Sequence, residues 1–105
     1  MAGTQERRPP LQRLEALKRA NEVRRQRAEI KRELRSGGRS IARLVISPPE
    51  FLLTARLSQI LLAVPGYGQV RVNRLLKRCR ISPLKTIGGL SERQREELAR
   101  ALAGA

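Results

Sequence analysis

The sequence predicts an all-α fold, a long N-terminal helix followed by a small helical domain. Three observations predict it. No segment shows the period-2 alternation of a half-buried strand. From Leu11 to about Ser36 the chain is rich in Leu, Ala, Glu, Lys and Arg and has no Gly or Pro, a composition that favours helix. From Gln69 to Arg80, Val72, Leu75, Leu76 and Cys79 fall at i, i+3, i+4 and i+7, with Arg71, Arg74, Lys77 and Arg78 on the other side.

The elements follow in order. Residues 1–10 are polar, end in Pro9-Pro10 and read as a disordered lead. In the first helix, Val23, Arg27, Ile30 and Leu34 share a face, whereas Leu11, Leu14, Leu17 and Ala20 keep a spacing of three that drifts around a 3.6-residue helix. Only the C-terminal part of this helix is therefore expected to dock on the core. Residues 1–22 are expected to form a basic arm or projecting helix start, and 23–105 the helical domain. On the helix surface, Glu29 and Glu33 alternate with Arg25 and Arg32 as candidate ion pairs. Gly37-Gly38 stops the helix. Ser40 caps a short one with Ile41, Leu44 and Val45 inward, and Ser47-Pro48-Pro49 breaks it. Phe51, Leu52 and Leu53 are expected to cover the core as an irregular link. A helix over about Leu57–Ala63 buries Leu57, Ile60, Leu61 and Val64. After the helix at Gln69–Arg80, Ser82-Pro83 opens a short turn through about Thr86, and Gly88-Gly89 interrupts again. Ser91-Glu92-Arg93-Gln94 fits a capping box. It opens a last helix to about Ala103, with Leu98 and Leu102 inward.

Charge narrows the function. The 105 residues hold 23 Lys+Arg against 9 Asp+Glu and no His, a formal net charge of +14. A compact fold with that excess repels itself unless a polyanion offsets it, which makes nucleic acid the first candidate partner. One Cys rules out an internal disulfide framework and a Cys-based zinc site. With no His there is no imidazole chemistry, and no metal or cofactor is expected. The nine glutamates are scattered among arginines, so no enzyme is read. Cys79 sits in an apolar stripe and reads as a core residue. No run of 18 apolar residues suggests a membrane helix and the N-terminus does not resemble a signal peptide, so the expected location is cytoplasmic. One Tyr, one Phe and no Trp give no aromatic platform for single-stranded bases, which favours a double-stranded partner.

The chemistry concentrates in Val64-Pro65-Gly66-Tyr67-Gly68-Gln69-Val70-Arg71. Glycines tolerate positive φ and let other groups approach the backbone. The first amides of the helix that follows lack intrahelical acceptors and lie at its positive end. A phosphate can accept from Gly66, Gly68, Gln69 and Val70 through backbone, while Arg71, Arg74 and Arg78 supply charge. Tyr67 packs over a sugar or covers the turn. The plain alternative is a tight turn between two helices, which uses the same residue types.

The stretch "LLAVPGYGQVRVNRLLKRCRISP" (Leu61–Pro83) resembles the helix-two-turn-helix module of small nucleic-acid-binding proteins, placed here at about 57–103. "RRQRAEIKRELRSGGRSIARLV" (Arg24–Val45) and "GLSERQREELARAL" resemble the N-terminal and final helices of the actinobacterial integration host factors, over roughly residues 20–102. The resemblance implies a nucleoid-associated protein that binds duplex DNA with little sequence preference, and bends or constrains it. It maps the backbone contacts onto Val64–Arg71. Two departures stand out. Where the family usually has "RRxRGL", this chain has Lys85-Thr86-Ile87-Gly88-Gly89-Leu90, which keeps only Lys85 charged. Gln69 stands where relatives often have Lys. Arg56, Arg74, Lys77 and the N-terminal arginines are candidates to compensate.

The resulting candidate DNA-binding set is Val64, Pro65, Gly66, Tyr67, Gly68, Gln69, Val70, Arg71, Arg74, Arg78, Lys85 and Arg56. A monomer is expected, with room for two DNA surfaces, because basic residues lie both on the first helix and around the glycine turn. Two other readings use the same charge: an RNA-binding or ribosome-associated basic protein, and an adaptor whose basic face holds an acidic protein.

Overall fold

The computed structural model describes residues 9–104. The disordered lead was expected over residues 1–10, of which 1–8 lie outside the described residues. Pro9 and Pro10 are the N-cap and first residue of α1 (Pro10–Ser36). Proline suits that position because its fixed φ matches the helix and no N–H is needed there. α1 runs 27 residues, about 40 Å at 1.5 Å per residue. It closes on Gly37, with the Gly37 and Gly38 amides donating to Leu34 and Glu33 carbonyls at 3.2 and 2.9 Å.

The drifting apolar pattern has the predicted consequence. Ile30 and Leu34 are buried, whereas Leu11, Leu14 and Leu17 are exposed. Docking is reinforced by Arg27, whose Nε donates to the Phe51 carbonyl at 2.8 Å and whose Nη2 donates to Thr54 Oγ1 at 2.5 Å. The ion pairs differ from expectation. Arg32 meets Glu29, but Arg25 pairs with Glu22, one turn earlier, and Glu33 reaches across the Gly37-Gly38 turn to Arg39 at 2.7 Å. The Arg25 hydrogen bond holds the Glu22 carboxyl below its usual pKa. These pairs are solvent-exposed and add little stability.

α2 (Ile41–Ile46) starts at Ser40, whose hydroxyl accepts from the Arg43 amide. It buries Leu44 and Val45 and packs chiefly on the last helix. The expected irregular link is a 3-10 turn, Glu50–Leu52, which buries Leu52 completely and leaves Leu53 partly exposed. α3 spans Leu57–Leu61, shorter than the predicted Leu57–Ala63, because the chain enters consecutive turns at Leu62. Val64, predicted buried, is half-buried against the core.

α4 (Gln69–Arg78) buries Val72 and Leu76 and presents its basic side outward. It ends two residues before the predicted Arg80 because Arg80 takes a left-handed φ of 57°. The Ile81 amide then donates to Leu76 and the Arg80 amide to Lys77, the closing pattern usually marked by glycine. Cys79 is buried as expected. Desolvation, then the Glu97 charge, push its thiol pKa up against an opposing pull from Arg78.

Beyond it, Thr86 accepts from the Gly89 amide and caps a second 3-10 turn, Ile87–Gly89, with Ile87 buried. The pattern reading gave only a chain break here. Gly88 allows a close approach: a Cβ on it would stand 2.8 Å from the Leu53 carbonyl oxygen, to which its amide donates. Arg56 and Thr86 form an isolated antiparallel bridge, a strand-like contact that no alternation announced. α5 (Glu92–Ala103) opens with the predicted capping box of Ser91 and Gln94 and buries Leu98, Ala99 and Leu102. Arg95 reaches back from α5 to the carbonyls of Val45 (2.7 Å) and Ile87 (2.9 Å), tying the end of α2 and the second 3-10 turn to the last helix.

The described residues are thus all-α apart from the bridge, with one core in which Leu34, Leu52, Leu57, Leu61, Val72, Leu76, Ile87 and Leu98 are nearly inaccessible.

Candidate nucleic-acid interface

The glycine turn is built by the backbone. Amides of Ala63, Val64 and Tyr67 donate to the carbonyls of Ile60, Leu61 and Val64 at 3.0–3.1 Å, giving two turns between α3 and α4. Gly66 has φ +83°, a conformation costing an L side chain about 1–2 kcal/mol. Gly68 is different. Its φ of −89° and ψ of −179° are ordinary extended values, so the expectation that positive φ explains the glycines holds for Gly66 alone.

Gly68 matters through what it lacks. It is the N-cap of α4, and α4 has no side-chain cap. The first-turn amides have no intrahelical acceptor, and no N-cap side chain reaches over them. A Cβ on Gly68 would meet nothing within 4 Å, so this end of the helix faces open space. The dipole of α4 adds positive potential there. Gln69 turns its side chain along the helix, donating from Nε2 to Asn73 Oδ1 at 2.9 Å, and Val70 is left 69% exposed beside the amides.

An open groove of about 810 Å³ runs from this helix start. Tyr67, Gly68, Gln69 and Val70 form one end, and Arg71, Arg74 and Arg78 continue along α4. The opposite wall is the end of α5, with Arg100, Ala101 and Gly104. The three α4 arginines lie at i, i+3 and i+7, a span of about 10 Å. Arg71 also serves the turn: its guanidinium lies 4.0 Å from the Tyr67 ring centroid, and Nη1 donates to the Gly66 carbonyl at 3.2 Å. This groove can hold a run of anionic oxygens, with neutral amides at one end and guanidinium groups along its length.

Seven of the twelve predicted residues, Tyr67 to Arg71 with Arg74 and Arg78, line this groove. Val64, Pro65 and Gly66 form the turn behind it. Arg56 and Lys85 do not line it. They stand together elsewhere, at the start of α3, where the Lys85 carbonyl accepts from the Leu57 amide and Arg56 pairs with Thr86. Arg100 is the residue that pattern reading missed. It reads as one more cation on an amphipathic helix, and only the packing of α5 against the rest of the core brings it opposite α4.

Among the described residues no three His, Cys, Asp or Glu side chains gather as a metal site, and no helix is long and apolar enough to cross a membrane.

No family model matches the chain. Curated relatives do. Integration host factor of Mycobacterium tuberculosis is 34% identical over 89 residues, 83% of this chain and 85% of that protein. Integration host factor of Streptomyces coelicolor is 34% identical over 97 residues, 88% and 91% of the two chains. Among solved structures, that of sIHF bound to an 8 bp palindromic DNA is similar with a TM-score of 0.74 and 29% identity, over 81% of this chain and 98% of that one.

Proposed function

The chain belongs to the integration host factor family of mycobacteria and streptomycetes, and from that premise we infer how it serves as a nucleoid-associated architectural protein that binds and bends duplex DNA. The DNA-bound relative supports double-stranded DNA as the first partner. The relatives found give no support to the RNA-binding or ribosome-associated alternative, and the reading assigns no enzymatic role. The protein acts as a monomer at the nucleoid, in the cytoplasm.

The observation that carries the assignment of the site is the juxtaposition of an uncapped helix start with a guanidinium stripe in one groove. A phosphate accepts from the Gly68, Gln69 and Val70 amides with Arg71 beside it, and neighbouring phosphates of the same strand meet Arg74 and Arg78. Arg100 approaches from the other wall. Amides and guanidinium groups on phosphates fix position without reading bases, so sequence preference comes through deformability of the duplex. Arg56 and Lys85, together with the arginines of α1, offer a second surface for another stretch of duplex.

The test is fluorescence anisotropy on duplex DNA, duplex RNA and single-stranded DNA across a salt series. Duplex DNA should bind tightest. Four guanidinium contacts correspond to a log–log salt slope of roughly −3.5, at about 0.9 per phosphate. A slope near zero, or equal affinity for all three nucleic acids, would remove the reading.

A further inference from the structure

The Arg71 side chain is not held as a free phosphate finger would be. Its guanidinium carbon lies 4.0 Å over the Tyr67 ring centroid, and Nη1 donates to the Gly66 carbonyl across the turn. Tyr67 in turn is half-buried and packed against the core, so the ring is a fixed support rather than a mobile tip. Arg71 is the third residue of α4. Folded back in this way, its charge sits over the glycine turn and lines the same groove as Gly68, Gln69 and Val70. A Cβ at Gly66 would stand 3.4 Å from Arg71 Nη1, which shows how closely the guanidinium seats on the turn. One of the five guanidinium N–H donors goes to Gly66, leaving others for a ligand.

We propose that Tyr67 is a positioning residue of the DNA site. It touches no DNA itself, and holds the Arg71 guanidinium over the turn so that guanidinium and α4 amides converge on one phosphate. The inference rests on the groove being the DNA site and adds a division of labour within it. Arg71 neutralises the phosphate, while the Tyr67 ring removes the ordering cost that a free arginine would meet on binding. The Tyr67 hydroxyl has no part in this. The stack favours the planar guanidinium over an ammonium.

A double-mutant cycle read by duplex affinity and salt slope tests it, with melting temperature as a control for folding. Tyr67→Phe should bind as the parent. Tyr67→Leu should weaken binding about 2- to 5-fold, in keeping with an exposed cation–π contact, with an unchanged salt slope. Arg71→Gln should lower the slope by about 0.9. In the Arg71→Gln background, Tyr67→Leu should cost nothing further. In the free protein, the Arg71 Nε–H should show a higher NMR order parameter than that of Arg74, and lose the difference in Tyr67→Leu. The proposal is overturned if Tyr67→Phe weakens binding as much as Tyr67→Leu, which would make the hydroxyl a DNA contact. Equal Tyr67→Leu effects with and without Arg71, or an Arg71 as mobile as Arg74, overturn it too. Arg74→Gln separates the two levels: if it also leaves affinity and slope untouched, the groove is not the DNA site.

Discussion

Replacing Gly68 by Asp should move folding and DNA binding in opposite directions. Gly68 is an N-cap in an ordinary extended conformation, and a side chain there meets no neighbour within 4 Å. Asp is a better N-cap than Gly by a few tenths of a kcal/mol, and a carboxylate at a helix N-terminus adds about 0.3–1 kcal/mol. The variant should therefore be more stable by about 0.5–1 kcal/mol, a rise in Tm of about 2–8 °C for a domain of this size. The same carboxylate occupies the amides offered to a phosphate. Losing hydrogen bonds to a charged group costs about 1.5–3 kcal/mol, or roughly 10- to 150-fold in Kd. Repulsion between carboxylate and phosphate adds about 1 kcal/mol at 4 Å in water. Gly68→Ala should fall between, with near-parental Tm and a smaller loss of affinity. Thermal melting by circular dichroism and duplex anisotropy at one fixed salt measure both quantities. A Gly68→Asp protein that melts higher yet binds duplex DNA as tightly as its parent would refute the phosphate cradle and leave the segment a turn only.

Other outcomes follow from the same geometry. Arg74→Gln, Arg78→Gln and Arg100→Gln should each flatten the salt slope by about 0.9, checked by anisotropy across a salt series; an unchanged slope for Arg100→Gln would take α5 out of the interface. Gly66→Ala should lower stability by about 1–2 kcal/mol through its positive φ, measured by urea unfolding, so that its binding defect, unlike that of Gly68→Ala, comes with a folding defect. Arg95→Ala should destabilise by about 1–3 kcal/mol, because the Val45 and Ile87 carbonyls lose their donor, while duplex affinity of the folded fraction stays put. Iodoacetamide should label Cys79 slowly at neutral pH until denaturant opens the core. Because the folded thiol pKa is raised, Cys79 contributes fully below the ordinary thiol pKa, and that contribution is lost as pH rises through the folded value. Alkaline melting should show this as a falling Tm that Cys79→Ala reduces.

What the sequence made legible divides by range. The Ser91–Gln94 capping box, the Ser40 cap and the stripe on α4 are set by neighbours within one or two turns, and all stand in the structure. The uneven α1 was readable for the same reason: a spacing of three cannot keep one face. The misses have long-range causes. Arg80 closes α4 in a left-handed conformation with no glycine to announce it, supported by a hydrogen bond from Gln94, fourteen residues on, to its carbonyl. The Ile87–Gly89 turn exists because Ile87 is drawn into the core and Gly88 fits against Leu53, neither of which local pattern contains. The groove was half legible. Its α4 wall lies in one contiguous stretch, whereas Arg100 on the other wall depends on how α5 packs. For Gly68 the positive-φ expectation does not hold; what sets it apart is the absence of a capping side chain over the first turn of α4.

The uneven burial of α1 also has a consequence in time. Its last turns are pinned through Ile30, Leu34 and Arg27, while in its first three turns Leu11, Leu14 and Leu17 stand in solvent and none of the described residues is buried. Unwinding those turns exposes little apolar surface of the described residues, and short helical segments are marginal in water. Their amides should therefore exchange with deuterium through local fraying. Those around Ile30–Leu34 should wait for global unfolding. One unbroken helix would then carry two clocks, and the point along it where the rates part marks where the core begins to hold it.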